Sequence, residues 1–332
     1  MTILAIETSC DETAAAVVRG GRCVLSDVIA TQIDTHKLYG GVVPEIASRK
    51  HVEAVTPVVR EALQASGLTI GEIDAVAVTH GPGLAGALLV GVSYAKGLAW
   101  AAGKPIIGVN HIEAHISANY LNTDLEPPFL CLVVSGGHTE LLHVLDWGTY
   151  RYIGGTLDDA AGEAFDKTAR VLGLGYPGGS KIDALAATGN AQAYEFPRAL
   201  LRDDSYDFSF SGMKTAVIQH LQRNGAASTA DAAAAIQKAI VDVLVAKTMR
   251  ASEQLGTRTL ALAGGVAANT GLRAAMAAAC ERRGWALRIP PVRYCTDNAA
   301  MVGAAAFFRA EKSGPSGLDL NANPGLEFST AG

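Results

Sequence analysis

The sequence predicts an α/β protein built from two structurally similar halves. Short apolar runs typical of buried strands alternate along the chain with longer runs in which apolar residues recur at helical spacing. The order of elements at the N-terminus also returns about 126 residues later. A length of 332 residues suits about two domains. Because β-hairpins are common, chance remains the competing explanation of the repeat.

The first half opens with two short apolar runs, residues 2–6 and 14–18, which predict strands on either side of a polar turn. Further elements are then expected in alternation: strands at 23–30, 73–79 and 105–109, and helices at 52–66 and 85–102. We expect this half to form an N-terminal domain of residues 1–127.

The second half repeats the opening pattern, with apolar runs at 129–134, 141–145 and 150–153 separated by polar turns. After it we expect helices at 158–172, 231–254 and 299–312 and a strand at 259–263. These elements predict a C-terminal domain of residues 128–312, whose last helix could pack back on the N-terminal domain. Residues 313–332 are rich in Gly, Pro and Asn without periodicity and predict a flexible tail.

Composition excludes several classes of protein. Twenty-seven basic against 32 acidic residues give a net charge of −5, whereas a protein that holds nucleic acid by charge alone carries a basic excess. The 5 cysteines lack close spacing, so neither a disulfide framework nor a cysteine zinc site is indicated. The N-terminus lacks a signal-peptide pattern, and Lys96 and several glycines interrupt the apolar stretch 81–103. We therefore expect a soluble cytoplasmic protein with no membrane segment.

The motif HIEAH follows the predicted strand at 105–109 and offers ligands for a metal. On a helix, His111 and His115 lie one turn apart on the same face, while Glu113 points away. A zinc protease would need H-E-x-x-H, so that chemistry is disfavoured. Asp297, in a polar turn before the last helix, is a candidate third ligand. The alternative is a pair of solvated or core histidines.

Glycine pairs at the ends of apolar runs predict loops that approach a ligand through the backbone. Glycine makes up 36 of 332 residues, about 11% against a usual share of about 7%. Backbone N–H groups in the turn Ser135-Gly136-Gly137 could wrap a phosphate or carboxylate, and Gly264-Gly265 precedes a helix start that suits a nucleotide. A plain hairpin turn and a close strand-to-helix packing turn are the alternatives.

Three carboxylates fall on one face of the predicted helix at 158–172. Asp159, Glu163 and Asp166 are related by i, i+4 and i, i+3 spacing. A solvated acidic face is one explanation. Acceptors for sugar hydroxyls or for an ammonium group are the other, which the nearby turn Pro177-Gly178-Gly179 favours slightly.

Taken in order, many motifs resemble one family. They are IETSCDET, GGVVPEIASRKH, HGPGLAGALLVG, HIEAH, LVVSGGHTEL, DDAAGEAFDKTAR, YPGG, DFSFSGMKT, LAGGVAANTGLR and CTDNAAM. The resemblance is to the tRNA threonylcarbamoyladenosine biosynthesis family TsaD, also called Gcp or YgjD, and it runs from about residue 2 to about residue 310. It implies the actin-like ATPase (ASKHA) fold, two duplicated α/β lobes with a ligand cleft between them.

The resemblance implies an activity and a cofactor. The activity is transfer of a threonylcarbamoyl group from threonylcarbamoyl-adenylate to N6 of adenosine 37 in tRNAs that read codons starting with A, with release of AMP. His111, His115 and Asp297 are then the ligands of one divalent metal per chain, for which iron(II) is favoured and zinc(II) is the alternative. The adenylate, or ATP or ADP, is expected in the cleft.

The nucleotide-binding residues implied by the resemblance are Val133, Val134, Ser135, Gly136, Gly137, Asp166, Gly179, Asp183 and Asn269. The adenosine motif departs from its relatives at Ala267 and Thr270-Gly271, where we expect little effect. Asp11, in the first polar turn, is our candidate for removing the amine proton. The implied partners are tRNA, a TsaB-like pseudo-enzyme subunit, a TsaE-like ATPase and a TsaC-type enzyme that supplies the adenylate.

Three other functions compete with this one. An actin-like cleft also serves sugar and acyl kinases, which would transfer phosphate from ATP. A glycoprotein endopeptidase, once assigned to this family, would need a water-activating glutamate beside the metal, and Glu113 has the wrong spacing. A non-catalytic scaffold would bind nucleotide and assemble partners without needing His111.

Overall fold

A computed structural model describes residues 1–224 and 228–328. Within these residues the chain divides into two compact units. The first comprises residues 1–127, 146–150 and 296–328, and the second comprises residues 128–145 and 151–295. The chain therefore leaves the first unit, builds the second and returns.

The first unit is built on a mixed sheet, which has five strands among the described residues. They are β1 (Thr2–Glu7), β2 (Glu12–Arg19), β3 (Cys23–Thr31), β4 (Ala75–Gly81) and β5 (Ile106–Asn110), in the order β3-β2-β1-β4-β5. Strand β1 is antiparallel to β2 and parallel to β4. All six residues of β1 are buried, as expected for a central strand that is covered on both faces.

Helices cover this sheet on both faces. They are α1 (Ile33–Lys37), α2 (Pro44–Ser66), α3 (Ala85–Ala102), α4 (His111–Ser117) and α10 (Ala299–Ser313). Helices α2 and α3 pack on one face, where their buried residues form a core with Leu4 and Ile6 of β1. Helix α10 packs on β1 and β2 from the other face, although it comes from the far end of the chain.

The second unit repeats the same sheet. Among the described residues its five strands are β6 (Phe129–Val134), β7 (Thr139–Asp146), β8 (Thr149–Gly155), β9 (Thr259–Ala263) and β10 (Ala286–Arg288), in the order β8-β7-β6-β9-β10. Strand β6 is antiparallel to β7 and parallel to β9, as β1 is to β2 and β4. The predicted duplication is confirmed.

Helices of the second unit surround a core based on one face of β6. They are α5 (Ala161–Val171), α6 (Gly178–Ala186), α7 (Ser211–Asn224), α8 (Thr229–Leu255) and α9 (Thr270–Glu281). Helix α8 packs against α6 and α9, and α5 packs against α6 and α7. Sequence periodicity did not predict α6 or α7, whose buried apolar residues are few, and it indicated only the start of α9, after Gly264-Gly265.

Helix α2 begins eight residues before its predicted start at Val52. Pro44 occupies the first turn, where its missing N–H costs no hydrogen bond and its fixed φ suits a helix. The residues that follow Pro44 are mostly polar or exposed, so the apolar periodicity becomes visible only from Val52 onward.

The C-terminal residues differ from the sequence-based boundaries. Residues 296–312 lie with the first unit and not with the second. Residues 313–328, predicted to be a flexible tail, are instead bonded to that unit: Ser316 N donates to Ile106 O at 2.8 Å and Asn323 N to His80 O at 2.7 Å. Such backbone bonds require no apolar periodicity, which is why the sequence pattern missed them. Residues 329–332 lie outside the described residues.

Among the described residues, α3 alone has the length and composition of a membrane span, with a mean hydropathy of 1.2 over 18 residues. Core helices of folded proteins pass the same test. In this structure α3 packs against β4 and α2 and buries Leu88, Val92 and Ala95. Because 33% of this window is buried, packing within the first unit explains one side of the apolar helix.

The contact between α10 and the first sheet gives a stability prediction. A methyl group at Gly303 would lie 2.7 Å from Val18 Cγ2, whereas one at Gly97, inside α3, would meet nothing within 4 Å. We expect Gly303→Ala to lower the free energy of unfolding by about 1–3 kcal/mol through overpacking. Gly97→Ala, the matched control, should raise it by up to about 1 kcal/mol through helix propensity. Urea unfolding of both variants checks this, and equal effects would contradict the described packing of α10.

Candidate functional site

Helix α4 begins at the first histidine of HIEAH because Asn110 caps it. The Asn110 side chain accepts hydrogen bonds from Ile112 N at 2.8 Å and Glu113 N at 3.4 Å, two donors that the first turn leaves unpaired. Strand β5 ends at the same residue, so the strand and the cap together fix where the helix starts. His111 and His115 then lie one turn apart, with ring centroids separated by 4.6 Å.

Asp297 completes a cluster with the two histidines. Its Oδ1 lies 3.6 Å from His111 Nε2 and 3.2 Å from His115 Nε2. One potential ligand atom from each of the three residues lies within 4.8 Å of the others. Asp297 is held just before α10, where Asn298 accepts a hydrogen bond from Met301 N and caps the helix. The structure thus brings together the three residues that the sequence singled out as metal ligands.

Glu7, which sequence reasoning did not single out, orients His111. Its carboxylate is fully buried at the end of β1, and Oε2 lies 3.3 Å from His111 Nδ1. The same carboxylate accepts hydrogen bonds from Ser9 N at 2.5 Å and Thr79 Oγ1 at 2.6 Å. A carboxylate behind one imidazole nitrogen leaves the other nitrogen to face a ligand. The only sequence signal was an acidic residue that closes a buried strand.

Nearby charges and burial shift the pKa values of His111 and Glu7 in opposite directions. Burial lowers the pKa of His111, but the carboxylates of Asp297 and Glu7 outweigh it and raise that pKa to about 9. Burial raises the pKa of Glu7, yet its contacts with His111 leave it below the usual value. Burial, followed by the charge of His111, lowers the pKa of His115. The two histidines therefore differ in environment: nearby carboxylates favour the charged form of His111, whereas burial disfavours the charged form of His115.

The residues present fit a divalent metal. Both ring nitrogens of His115 are buried and make no hydrogen bond to any described residue. Nε2 lies 3.2 Å from Asp297 Oδ1, but a buried imidazole that makes no hydrogen bond is costly unless something else binds it. Two imidazole nitrogens and one carboxylate oxygen are a donor set that suits iron or zinc.

Glu113 points away from the cluster, as its spacing predicts. Tyr150 Oη donates to Glu113 Oε1 at 3.1 Å, and Arg309 Nη1 lies 3.8 Å from Oε2. Burial raises the pKa of this carboxyl, and the charge of Arg309 partly offsets the effect. No water-activating role beside the metal ligands follows from this arrangement, which counts against the endopeptidase alternative.

Asp11 lies in the turn between β1 and β2, and Glu12 is the first residue of β2. Asp11 is buried except for 8% of its surface. Burial raises the pKa of Glu12 to about 10, with further increases from the charges of Asp297 and Asp11. The Glu12 carboxyl therefore lies close enough to the candidate metal ligand Asp297 for their charges to interact.

In the second unit, the turn between β6 and β7 presents its backbone to open space. Ser135 Oγ accepts hydrogen bonds from Gly137 N at 3.3 Å and His138 N at 3.0 Å, which fixes the turn. A Cβ atom added at Gly136, Gly137 or Gly265 would meet nothing within 4 Å. At Gly264, by contrast, φ is +87° and a Cβ would lie 2.3 Å from Val134 O. Glycine at Gly264 lets β9 approach β6, and the others leave room for a ligand.

The predicted nucleotide-binding side chains hold the glycine-rich turns in place. Asp166 accepts a hydrogen bond from Gly178 N at 2.7 Å, and a second backbone bond comes from Gly179. Asp183 accepts from Thr270 N at 3.0 Å and from Thr270 Oγ1 at 2.7 Å. Asn269 caps α9 by accepting from Leu272 N at 2.8 Å. The structure brings these residues to two helix N-termini, α6 and α9, where backbone N–H groups favour anions.

The three carboxylates predicted on one helical face do not all lie on a helix, because α5 begins at Ala161 and Asp159 precedes it, and two of them are paired with a lysine. Lys167 Nζ lies 2.7 Å from Asp159 Oδ1 and 3.0 Å from Glu163 Oε1. These contacts favour the solvated, salt-bridged explanation of the acidic face for those two residues. Asp166 differs because its partners are backbone N–H groups.

Comparison with solved structures defines the class of protein. The chain is similar to HypF, with a TM-score of 0.65 and 14% identity over 95% of this chain and 56% of that one. It is also similar to component A of (R)-2-hydroxyglutaryl-CoA dehydratase from Acidaminococcus fermentans, with a TM-score of 0.57 and 14% identity over 94% of this chain and 100% of that one. At this identity the likeness shows the fold alone, which is the predicted actin-like ATPase fold.

Comparison with sequences defines the family. Residues 23–304 match the family model TsaD, tRNA N6-adenosine threonylcarbamoyltransferase. A relative of that description from Clostridium botulinum strain 657 is 56% identical over 99% of this chain and 98% of its own length, and one from Clostridium perfringens is 56% identical over 98% of each. The chain belongs to this family of acyltransferases, which form N6-threonylcarbamoyladenosine in tRNA.

Asp158 yields a pH-dependent prediction for the DFSFSGMKT segment. Its carboxylate accepts hydrogen bonds from Phe210 N at 2.8 Å and Ser211 N at 3.2 Å, at the start of α7. Burial raises the pKa of Asp158, but the hydrogen bonds from Ser209, Phe210 and Ser211 outweigh it and lower the pKa. Because the native pKa is lowered, the ionised carboxylate stabilises the fold at pH values above the ordinary aspartate pKa of about 3.9. This stabilisation is lost as the pH falls through the native pKa.

We expect Asp158→Asn to reduce stability at pH 7 by about 1 kcal/mol, since hydrogen bonds to a charged acceptor are replaced by weaker ones. The difference from wild type should shrink as the pH falls from about 5 to below the native pKa. Urea unfolding at several pH values measures it. A stability difference that stays constant down to pH 2.5 would contradict the assignment.

Proposed function

We propose that the chain transfers the threonylcarbamoyl group from threonylcarbamoyl-adenylate to N6 of adenosine 37 in tRNAs reading codons that start with A. The N6 nitrogen attacks the carbamoyl carbon, the bond from that carbon to the phosphate oxygen breaks, and AMP leaves. The supporting observation is the cluster of His111, His115 and Asp297 in a chain that also has open glycine-rich turns. Family membership supplies the reaction class.

The adenylate is proposed to bind the second unit. Residues Val133 to Gly137 end β6 and form a turn whose N–H groups can bind phosphate oxygens. Gly179 lies in the first turn of α6, and Asp183 and Asn269 hold the start of α9. The side chains of Asp166, Asp183 and Asn269 would place these backbone donors, with spare acceptor capacity for ribose hydroxyls.

His111, His115 and Asp297 are proposed to hold one divalent metal, iron(II) with zinc(II) as the alternative. When bound, the metal polarises oxygens of the phosphate or threonyl group. Glu7 keeps the His111 ring fixed through Nδ1, so that Nε2 faces the metal position. Asp11 is proposed to accept the proton that N6 loses, because its turn lies beside these ligands.

The decisive assay is mass spectrometry of tRNA nucleosides after incubation with threonine, bicarbonate, ATP and the proposed partner enzymes. N6-threonylcarbamoyladenosine should form only when this chain is present. Its appearance at the same level without the chain would refute the proposal. Isotope-labelled ATP with small hydroxy or carboxylic acids tests the kinase alternative, for which a phosphorylated product is required.

Loss of metal ligands should abolish the reaction. We expect the double variant His111→Ala/His115→Ala to retain less than about 0.1 metal equivalent and to lose transfer by at least about 100-fold, since the remaining carboxylate is a weak ligand alone. His80→Ala, a histidine of the same unit outside the cluster, serves as the matched control and should keep both properties. Metal analysis and tRNA mass spectrometry measure them. Normal transfer by the metal-free double variant would contradict the proposal.

A TsaB-like subunit is proposed to bind the outer face of α2 and α3. Along α3, Leu89 and Trp100 are 52% and 75% exposed, and Val52 of α2 is 64% exposed. Large exposed apolar side chains on two packed helices are typical of a protein interface. A TsaE-like ATPase and a TsaC-type enzyme complete the proposed cytoplasmic system.

A single charged substitution on this face tests whether the TsaB-like subunit binds there. We expect Leu89→Glu to weaken binding of the TsaB-like subunit by about 10-fold or more, since the new carboxylate would be desolvated at the interface. Leu157→Glu, at a side chain 70% exposed in the second unit, is the matched control and should bind normally. Isothermal titration calorimetry distinguishes the two. Unchanged affinity of Leu89→Glu would contradict this location.

Binding of tRNA is proposed to depend on partners, because this chain has a net charge of −5. Arg282 is exposed, while Lys50 and Arg283 each pair with a neighbouring glutamate at 2.8 Å. Pairing of this kind reduces the positive charge available to phosphates. Among Arg49, Lys50, Arg282 and Arg283, we therefore propose Arg49 and Arg282 as local contacts for tRNA.

A further inference from the structure

The turn between β1 and β2 is tied directly to the metal-ligand cluster. Ser9 Oγ lies 3.2 Å from His111 Nδ1, and Ser9 N donates to the same Glu7 carboxylate that contacts His111. Asp11 follows two residues later. The position of the Asp11 carboxylate relative to His111 therefore depends on how firmly this turn is held.

Three successive carbonyl groups of the turn each accept a hydrogen bond from a different part of the first unit. Leu84 N donates to Ser9 O at 2.9 Å, and Gln32 N donates to Asp11 O at 3.0 Å. Between them, His51 Nε2 lies 2.9 Å from Cys10 O. The other two donors are main-chain amides, so His51 is the side chain that a substitution can remove.

His51 is fixed in one tautomer by its neighbours. Its ring is fully buried on α2. Because a carbonyl oxygen only accepts, Nε2 must carry the proton that is donated to Cys10 O. Nδ1 is then an acceptor, and Thr13 Oγ1 donates to it at 2.8 Å. Burial lowers the pKa of His51, which favours this neutral form.

A second histidine extends the network away from the site. Gln32 Nε2 lies 3.5 Å from His51 Nδ1 and 3.4 Å from Ala47 O, and its Oε1 lies 3.2 Å from His36 Nε2. His36 Nδ1 in turn accepts from Val43 N at 3.3 Å, just before α2 begins. The network is buried from the turn to the start of α2, so its members hold one another in place.

We propose that His51 is a positioning residue for threonylcarbamoyl transfer, which acts by holding the Cys10 carbonyl and so placing Asp11 beside the metal ligands. This inference rests on the proposed role of Asp11. His51 itself touches no metal ligand among its hydrogen-bond partners, and its action is through the backbone of the turn. Nothing in the HIEAH or glycine motifs signals it.

Removal of the imidazole leaves a carbonyl of the turn without its donor. His51→Leu replaces the imidazole with an apolar side chain of similar bulk that donates no hydrogen bond, so the turn is free to shift. Misplacement by about 1 Å at a reacting group costs on the order of 100-fold in rate. We expect a fall in kcat of about 10- to 100-fold, with an unchanged KM for the adenylate and unchanged metal content.

The experiment uses the metal-loaded full chain with its partner proteins and tRNA. His51→Gln restores an amide donor near the position of Nε2 and should recover kcat to within about 3-fold of wild type, about 0.7 kcal/mol in activation free energy. Val58→Ala, which removes buried bulk from α2 two turns further on, is the control for lost stability and should keep kcat. If His51→Leu does not fold, Thr13→Val decides, because it removes the hydroxyl that orients His51 while keeping a β-branched residue. It should lower kcat by about 3-fold or more.

A double-mutant cycle with Asp11→Asn separates this inference from the proposed function. If His51 acts through the Asp11 carboxylate, His51→Leu should lower kcat in the wild-type protein. In a protein that already carries Asp11→Asn, it should lower kcat little further. Full activity of Asp11→Asn would refute the proposed role of Asp11. Three results would overturn the positioning role alone when Asp11→Asn has lost activity. They are a normal kcat in His51→Leu, an equal fall of kcat in Val58→Ala, and effects of His51→Leu and Asp11→Asn on kcat that are independent and additive.

Discussion

The buried carboxylate of Glu7 is the interaction on which the first unit's site depends. It joins four elements: β1, to which it belongs, β4 through Thr79, α4 through His111 and the following turn through Ser9. A carboxylate in a fully buried position is stable only when its oxygens are satisfied by hydrogen bonds and by nearby positive charge. Strand, helix and turn must therefore meet at this point, and the orientation of His111 follows from that requirement.

The duplicated sheet places turns of different composition at equivalent positions of the two units. The hairpin turn after β1 carries Asp11 and is followed by Glu12, and its carbonyls are held by donors from other elements. The equivalent turn after β6 carries Gly136 and Gly137, where an added Cβ would meet nothing within 4 Å, and Gly137 N donates to Ser135 Oγ within the turn. Acidic side chains at one turn suit proton and metal chemistry, whereas an uncrowded glycine turn at the other suits the approach of a phosphate.

Sequence patterns predicted nine of the ten described strands and the helices α2, α3, α5, α8 and α10, because those elements bury apolar faces, but missed the short edge strand β10. They also indicated His111 and His115, since i, i+4 spacing after a strand is a local property. Elements and residues whose role depends on distant contacts were not visible. The bonded segment 313–328 shows this for backbone hydrogen bonds. Glu7 and His51 show it for side chains, because each meets a partner that lies far away in sequence.

In the proposed metal site, His111, His115 and Asp297 supply the ligands and no cysteine takes part. X-ray absorption spectroscopy of the iron- or zinc-loaded chain reads the ligand atoms directly. We expect nitrogen and oxygen neighbours with the scattering pattern of two imidazoles and no sulfur. A sulfur ligand, or a spectrum with no imidazole contribution, would contradict it.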